Sequence, residues 1–210
     1  MTQGPFSRVI GSLAELRAVI GQPAERSVKK ETATVDTYAR AFIAHSPLLL
    51  MATAGVGGRC DVSPKGGAPG FVIVLDDTHL LIPDRPGNRR VDGMQNILQN
   101  GHVGLLFLMP GREDTLRVNG RAWIVNDEEL LERMTFAGRR PHLGIGVEVE
   151  ECYFHCAKAF RRSRLWDSRE WPDPKAVPSF AQMLHDRTRA AGTVEDLECE
   201  IEERTRTQLY

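Results

Sequence analysis

The stretch VGLLFLMPGREDTLRVNGRAWIV, residues 103–125, holds two β-rich runs, 103–109 and 116–125, on either side of Pro110-Gly111-Arg112-Glu113-Asp114. Short connections rich in Gly, Pro and Asp join antiparallel neighbours, so the stretch reads as two strands of a mainly antiparallel sheet. Outward from it the pattern repeats. Runs 48–53, 59–63, 71–75 and 79–82 come before, with Gly55-Val56-Gly57-Gly58 and Asp76-Asp77-Thr78 among the turns, and a further strand is expected at about 143–149. Six or seven short strands with few helices predict one small closed or partly closed barrel with helical plugs.

Helices are expected where apolar residues change to one-face spacing. Ser12-Leu13-Ala14-Glu15 has capping-box spacing and predicts a helix over 13–20, stopped by Gly21 and Pro23. Val35, Tyr38, Ala39, Phe42 and Ile43 predict a second over 35–45, ended by Pro47. Val91, Met94, Ile97 and Leu98 predict a third over 88–100 with Asn100-Gly101 as its stop, and 127–134 predicts a fourth capped by Asn126 or Asp127. Residues 151–162 fit helix and strand equally. Past Trp171-Pro172-Asp173-Pro174 a tail is expected, helical near 180–191 and 194–206, the latter an acidic solvated face. The expected division is an N-terminal helical extension over 1–35, a barrel domain over 36–170 and a C-terminal helical tail over 171–210.

Composition removes several functions. The 210 residues carry 27 Lys+Arg against 28 Asp+Glu, a formal charge of −1, so nucleic acid is not an expected partner. The longest apolar stretches, 47–52 and 105–110, fall far short of the roughly 18 residues a membrane span requires, and no secretory signal is visible. Four cysteines do not make a disulfide framework in a chain of this length, so a cytoplasmic protein is expected. The chain has no Gly-x-Ser-x-Gly, His-Glu-x-x-His or Gly-x-Gly-x-x-Gly, which leaves hydrolase chemistry and a Rossmann nicotinamide domain unsupported.

The chemistry concentrates in two loops. Ile82-Pro83-Asp84-Arg85-Pro86-Gly87-Asn88-Arg89-Arg90 joins a strand to a helix N-terminus and carries three arginines in six residues. A helix N-terminus offers unpaired N–H groups, and guanidinium forks match phosphate oxygens; an exposed turn with arginines paired to Asp84 and Asp92 is the alternative. Arg59-Cys60-Asp61-Val62-Ser63-Pro64-Lys65-Gly66-Gly67 ends another strand with a hydroxyl, a cation and two glycines. Cys152, His155 and Cys156 are zinc-ligand types, but structural zinc takes four ligands and no second pair is evident, so no metal is expected. Residues 158–166 combine four cations with Phe160 and Trp166, and Trp166 suits a stacking wall at the entrance to a site or an interface anchor.

Together these stretches resemble a known family. Asp61-Val62-Ser63-Pro64-Lys65-Gly66, Pro69-Gly70-Phe71, Asp84-Arg85-Pro86-Gly87-Asn88, Leu116-Arg117-Val118-Asn119-Gly120-Arg121-Ala122 and His155-Cys156-Ala157-Lys158 resemble the pyridoxamine 5'-phosphate oxidase-related FMN-binding flavoproteins, in particular a bacterial subgroup with a DRPGN-type loop. The resemblance covers about residues 36–166. It implies a mainly β (α+β) fold, a six- to seven-stranded antiparallel split β-barrel with flanking helices, and a homodimer holding FMN between the subunits. Asn88, Arg89 and Arg90 stand where the parent oxidase grips the FMN phosphate, with Arg85 a helper. The parent's flavin strand carries an Arg and a Lys that 71–75 lacks, and Ser63 and Lys65 are the candidates to replace them. The span from Arg89 to Asn100 is also a few residues longer than the parent spacing.

Phe71, Val72 and Ile73 suit an apolar wall for the flavin ring, with the backbone at Gly70 and Phe71 beside it. Arg117, Arg121, Lys158 and Arg161 are candidates to stabilise reduced anionic flavin, and His155 and Lys158 belong near the cleft. No catalytic residue is identifiable. The expected function is an FMN-dependent oxidoreductase acting on a small molecule, with NADH or NADPH a candidate diffusible reductant; a non-catalytic flavin- or haem-binding storage module is the alternative. A third class, a basic cleft for another phosphate or nucleic acid, would show binding that weakens steeply with salt and no chromophore.

Overall fold

A computed structural model describes residues 4–210. Its strands are β1 (Leu48–Ala54), β2 (Cys60–Gly66), β3 (Ile73–Val74), β4 (His79–Pro83), β5 (His102–Leu108), β6 (Thr115–Val125) and β7 (Gly144–His155). All pair antiparallel in one sheet of order β2-β1-β5-β6-β7-β4-β3. The helices are α1 (Leu13–Ile20), α2 (Glu25–Lys29), α3 (Thr37–His45), α4 (Asp92–Asn100), α5 (Glu128–Arg133), α6 (Lys158–Ser163), α7 (Phe180–Thr188) and α8 (Val194–Thr207). The chain forms two compact units, one reaching Glu31 and one spanning Thr32–Tyr210. The first holds α1, whose Ser12 hydroxyl accepts from the Glu15 N–H at 3.2 Å, and the five-residue α2, too short to show a periodicity in the sequence.

Strand alternation divides the sheet into two faces. Leu49, Met51, Val103, Leu105, Phe107, Leu116, Val118, Val147 and Val149 are buried on the inner face, where Phe42 and Ile43 of α3 join them. The sheet curls around this core. Five strand steps separate β2 from β4, about 24 Å in a flat sheet at roughly 4.8 Å per step. Yet Lys65 Nζ on β2 lies 3.4 Å from Asp84 Oδ1, one residue past β4. Hydrogen bonding stops at β2 and β3, so the result is a split barrel rather than a closed one.

Helix α4 plugs the barrel. Met94 and Ile97 face inward, Asn96 Nδ2 donates to Thr53 Oγ1 at 2.9 Å, and Gly93 brings the helix close enough that a Cβ there would meet Met51 Cε at 3.2 Å. Val91 and Leu98, expected on the same face, are exposed, as is Tyr38 on α3. The helix begins at Asp92 rather than 88 because Arg89 (φ 60°) and Val91 (φ 53°) take left-handed backbone that cannot continue a right-handed turn. The strand expected over 71–75 reduces to Ile73–Val74, and Val72 is buried in the core instead of lining a ring site. The ambiguous 151–162 resolves into the end of β7 and α6.

Strand β7 runs past Val149 through an irregularity: Asn119 pairs with Glu151 and Gly120 with Val149, leaving Glu150 as an extra residue. A Cβ at Gly120 would collide with the Glu148 carbonyl, so the bulge needs glycine. Gly120→Ala is expected to lower stability by about 2 kcal/mol or more in urea unfolding, while Gly57→Ala, where a Cβ meets open space, leaves it within about 0.5 kcal/mol.

Candidate functional site

Residues 84–91 leave β4 and enter α4. Asn88 Oδ1 accepts from the Arg90 N–H at 3.0 Å, and Arg90 Nε donates to Asp92 Oδ2 at 2.8 Å. The left-handed turns at Arg89 and Val91 present the first N–H groups of α4 with no side-chain cap, as at the short helices α2 and α6, whereas Ser12, Asp36, Asp127, Ser179 and Thr193 cap α1, α3, α5, α7 and α8. Ser63 and Lys65 stand on the inner face of β2, opposite Met51 and Leu49, and the Lys65–Asp84 pair ties that strand to the loop. This arrangement suits a phosphate dianion: Lys65 on β2 adjoins the loop that carries Arg89 and Arg90, and that loop leads into the uncapped N-terminus of α4.

Arg85 turns away from its two neighbours. Its Nη2 donates to the Met134 carbonyl at 2.9 Å, and its guanidinium stands 5.5 Å from the Tyr210 ring centroid. Burial pushes its pKa down, with Tyr210 opposing the shift. Arg85 Nε and Thr135 Oγ1 are buried without a hydrogen-bond partner. Both residues line a cavity of about 140 Å³ between loop 67–71, turn 133–136 and Tyr210. That is well below the ~300–1,000 Å³ of ligand pockets. Gly70 (φ 81°) passes the Ala44 carbonyl so closely that a Cβ would stand 3.3 Å from its oxygen, and Phe71 forms part of the wall.

The remaining predicted residues form a second group. Arg117 lies on the outer face of β6, its Nη1 2.5 Å from the Tyr153 hydroxyl and its guanidinium 5.4 Å from that ring. The His155 ring follows at 5.2 Å from Tyr153, and Lys158 opens α6. Arg117, Asn119 and Arg121 share this face, as alternation requires. Ser63, Lys65 and loop 84–90 are thus brought together, while Arg117 lies three strands from Lys65 on the opposite face of the sheet.

Cys152 points into the core, away from His155. Trp166 stacks on Phe160 and donates to the Arg112 carbonyl at 2.7 Å, while Arg161 Nε meets Glu113 at 2.6 Å; segment 158–166 is pinned to the β5–β6 turn. A larger cleft of about 540 Å³, walled by Tyr38, Phe42, His45, Met109 and Phe154, contains none of the predicted residues. Tyr153 and Tyr210 were not singled out by the sequence, nor was Lys65 as the partner of Asp84, because each of these contacts joins residues distant along the chain.

Seven antiparallel strands in one split barrel, with a basic loop joining β4 to α4, define the fold class of the chain. Residues 35–156, more than half of the chain, match the family model described as pyridoxamine 5'-phosphate oxidase, and the chain belongs to that family. No curated protein matches it. Among solved structures it is similar in fold to HupZ of Group A Streptococcus (18% identity over 58% of this chain and 99% of that one, TM-score 0.48). It is also similar to a putative pyridoxamine 5'-phosphate oxidase of Lactobacillus delbrueckii (20%, 58% and 95%, TM-score 0.47) and to an FMN-binding protein of Syntrophomonas wolfei (12%, 70% and 98%, TM-score 0.46). No helix among the described residues is long and apolar enough to cross a membrane.

Burial pushes the Cys152 thiol up to about 11, so it stays protonated at pH 8 and unreactive, whereas Cys60, Cys156 and Cys199 are exposed. Thiol titration of the native protein at pH 8 is expected to count three fast groups, with the fourth appearing only on unfolding.

Proposed function

We propose that the chain is an FMN-binding flavoprotein, a homodimer in which each flavin lies between two protomers, and that it transfers electrons between the flavin and a small molecule. The observation that carries the reading is the contact of Lys65 with Asp84 in the loop that carries Arg89 and Arg90 to the uncapped N-terminus of α4. In this reading Asn88, Arg89 and Arg90 hold the phosphate and Ser63 and Lys65 flank it. Arg85 acts on the loop from behind, through Met134. Gly70 and Phe71 border the ring. A second protomer is part of this reading because the 140 Å³ cavity beside Gly70 and Phe71 is too small for a tricyclic ring and Arg117 and His155 lie on the face of the sheet opposite Lys65. A partner presenting its outer face to the phosphate loop would complete the site with its own Arg117, His155 and Lys158.

When bound, FMN supplies the hydride or one-electron chemistry. The protein's share is to hold and tune. Arg117, fixed by the Tyr153 hydroxyl, is the cation suited to stabilise negative charge on a reduced ring. NADH or NADPH is the diffusible reductant to try first. Four cysteines too few and too unevenly spaced for a disulfide framework suit a cytoplasmic setting.

The test begins with the visible spectrum of the purified protein and mass spectrometry of any small molecule released by heat. A yellow protein releasing FMN is expected, and a colourless one that takes up no added FMN would overturn the flavin reading. Arg89→Ala with Arg90→Ala removes two charge-assisted contacts of about 1.5 kcal/mol or more each, so FMN affinity is expected to fall about 100-fold with an unchanged circular dichroism spectrum. Unaltered flavin content in that variant would remove the phosphate assignment. A wild-type spectrum that NADH and NADPH leave oxidised without oxygen would favour a storage module.

A further inference from the structure

The cavity under loop 67–71 is closed on one side by Tyr210. Three contacts hold that residue. Its ring tilts against Phe136 with centroids 4.7 Å apart, the Arg85 guanidinium stands 5.5 Å from its centroid, and Arg139 donates to its backbone oxygen. Arg85 in turn donates to Met134 on the same turn that carries Phe136 and Arg139. The end of the helical tail, turn 134–139 and the root of loop 84–90 therefore form one cluster.

The segment delivering Tyr210 is lightly anchored. Among the described residues α8 buries none and α7 buries only Ala181, and elements with so little buried surface open locally at low cost. The docked state also leaves Arg85 Nε and Thr135 Oγ1 buried and unpartnered. Admitting water would satisfy both, which favours the open state and offsets part of what the ring contacts contribute.

We propose that Tyr210 is a releasable strap. Docked, it closes the cavity and holds Arg85 against turn 134–139; released, it opens the cavity and frees loop 84–90 to move. Any consequence for cofactor retention rests on the flavin reading above, whereas the strap itself does not.

Hydrogen–deuterium exchange on the full chain, without added flavin, compares wild type with Tyr210→Ala and Tyr210→Phe. The alanine variant is expected to exchange about tenfold faster at 84–91 and 133–139 while β5 and β6 stay at the wild-type rate. The phenylalanine variant keeps the ring contacts and is expected to stay near wild type. Wild-type protection of both segments in Tyr210→Ala would overturn the strap, as would equal loosening in Tyr210→Phe. FMN release followed in the same variants is expected to be about tenfold faster for alanine. Equal release rates would sever the strap from cofactor retention, and a wild-type protein that takes up no FMN would fail the flavin reading while leaving the exchange result standing.

Discussion

Directly opposite residues of antiparallel strands share a face, so Lys65, Leu49, Phe107, Leu116 and Phe154 run as one row along the inside of the barrel. The neighbouring row, Pro64, Leu50, Leu106, Arg117 and Tyr153, runs along the outside. Leu49, Phe107 and Leu116 are fully buried, and each such side chain contributes about 1.5–3 kcal/mol. A slip of one residue would exchange the two rows and forfeit that burial. The apolar centre of the inner row thereby decides where its charged end goes: Lys65 is carried to the inner edge, where the curl of the sheet delivers Asp84. Arg117 is held outside by the same register.

Within one loop, three guanidiniums diverge. Arg85 is drawn into the protein by the Met134 carbonyl, Arg90 is paired to Asp92 at the surface, and Arg89 sits on a left-handed backbone. Three arginines in six residues read alike in the sequence, but a guanidinium that spends its donors on a backbone carbonyl is a structural strut. The same loop can therefore be braced at one end and free to recognise an anion at the other.

The hairpin 103–125 was legible because its turn residues and alternation agree, and Val118 and Ala122, which alternate with Arg117, Asn119 and Arg121, are buried. The start of α4 was not, because two non-glycine residues adopt left-handed backbone that no propensity flags. The length of β7 was hidden by Glu150: the inward set shifts from Val147 and Val149 to Cys152 and Phe154, breaking the period of two where the strand continues. In the candidate site, Lys65 and loop 84–90 were legible as local concentrations of charge. The Lys65–Asp84 and Arg117–Tyr153 pairs were not, since they exist only once strand order and register are known.

Strand β2 ends the sheet, and its middle carries Pro64, which has no N–H to offer an incoming strand. An unprotected rim of this kind would invite uncontrolled polymerisation by strand addition. With a gap in its donor ladder, β2 is a poor template for extending the sheet from chain to chain. The fold thereby carries, at one rim, its own check against growing into fibres by strand addition.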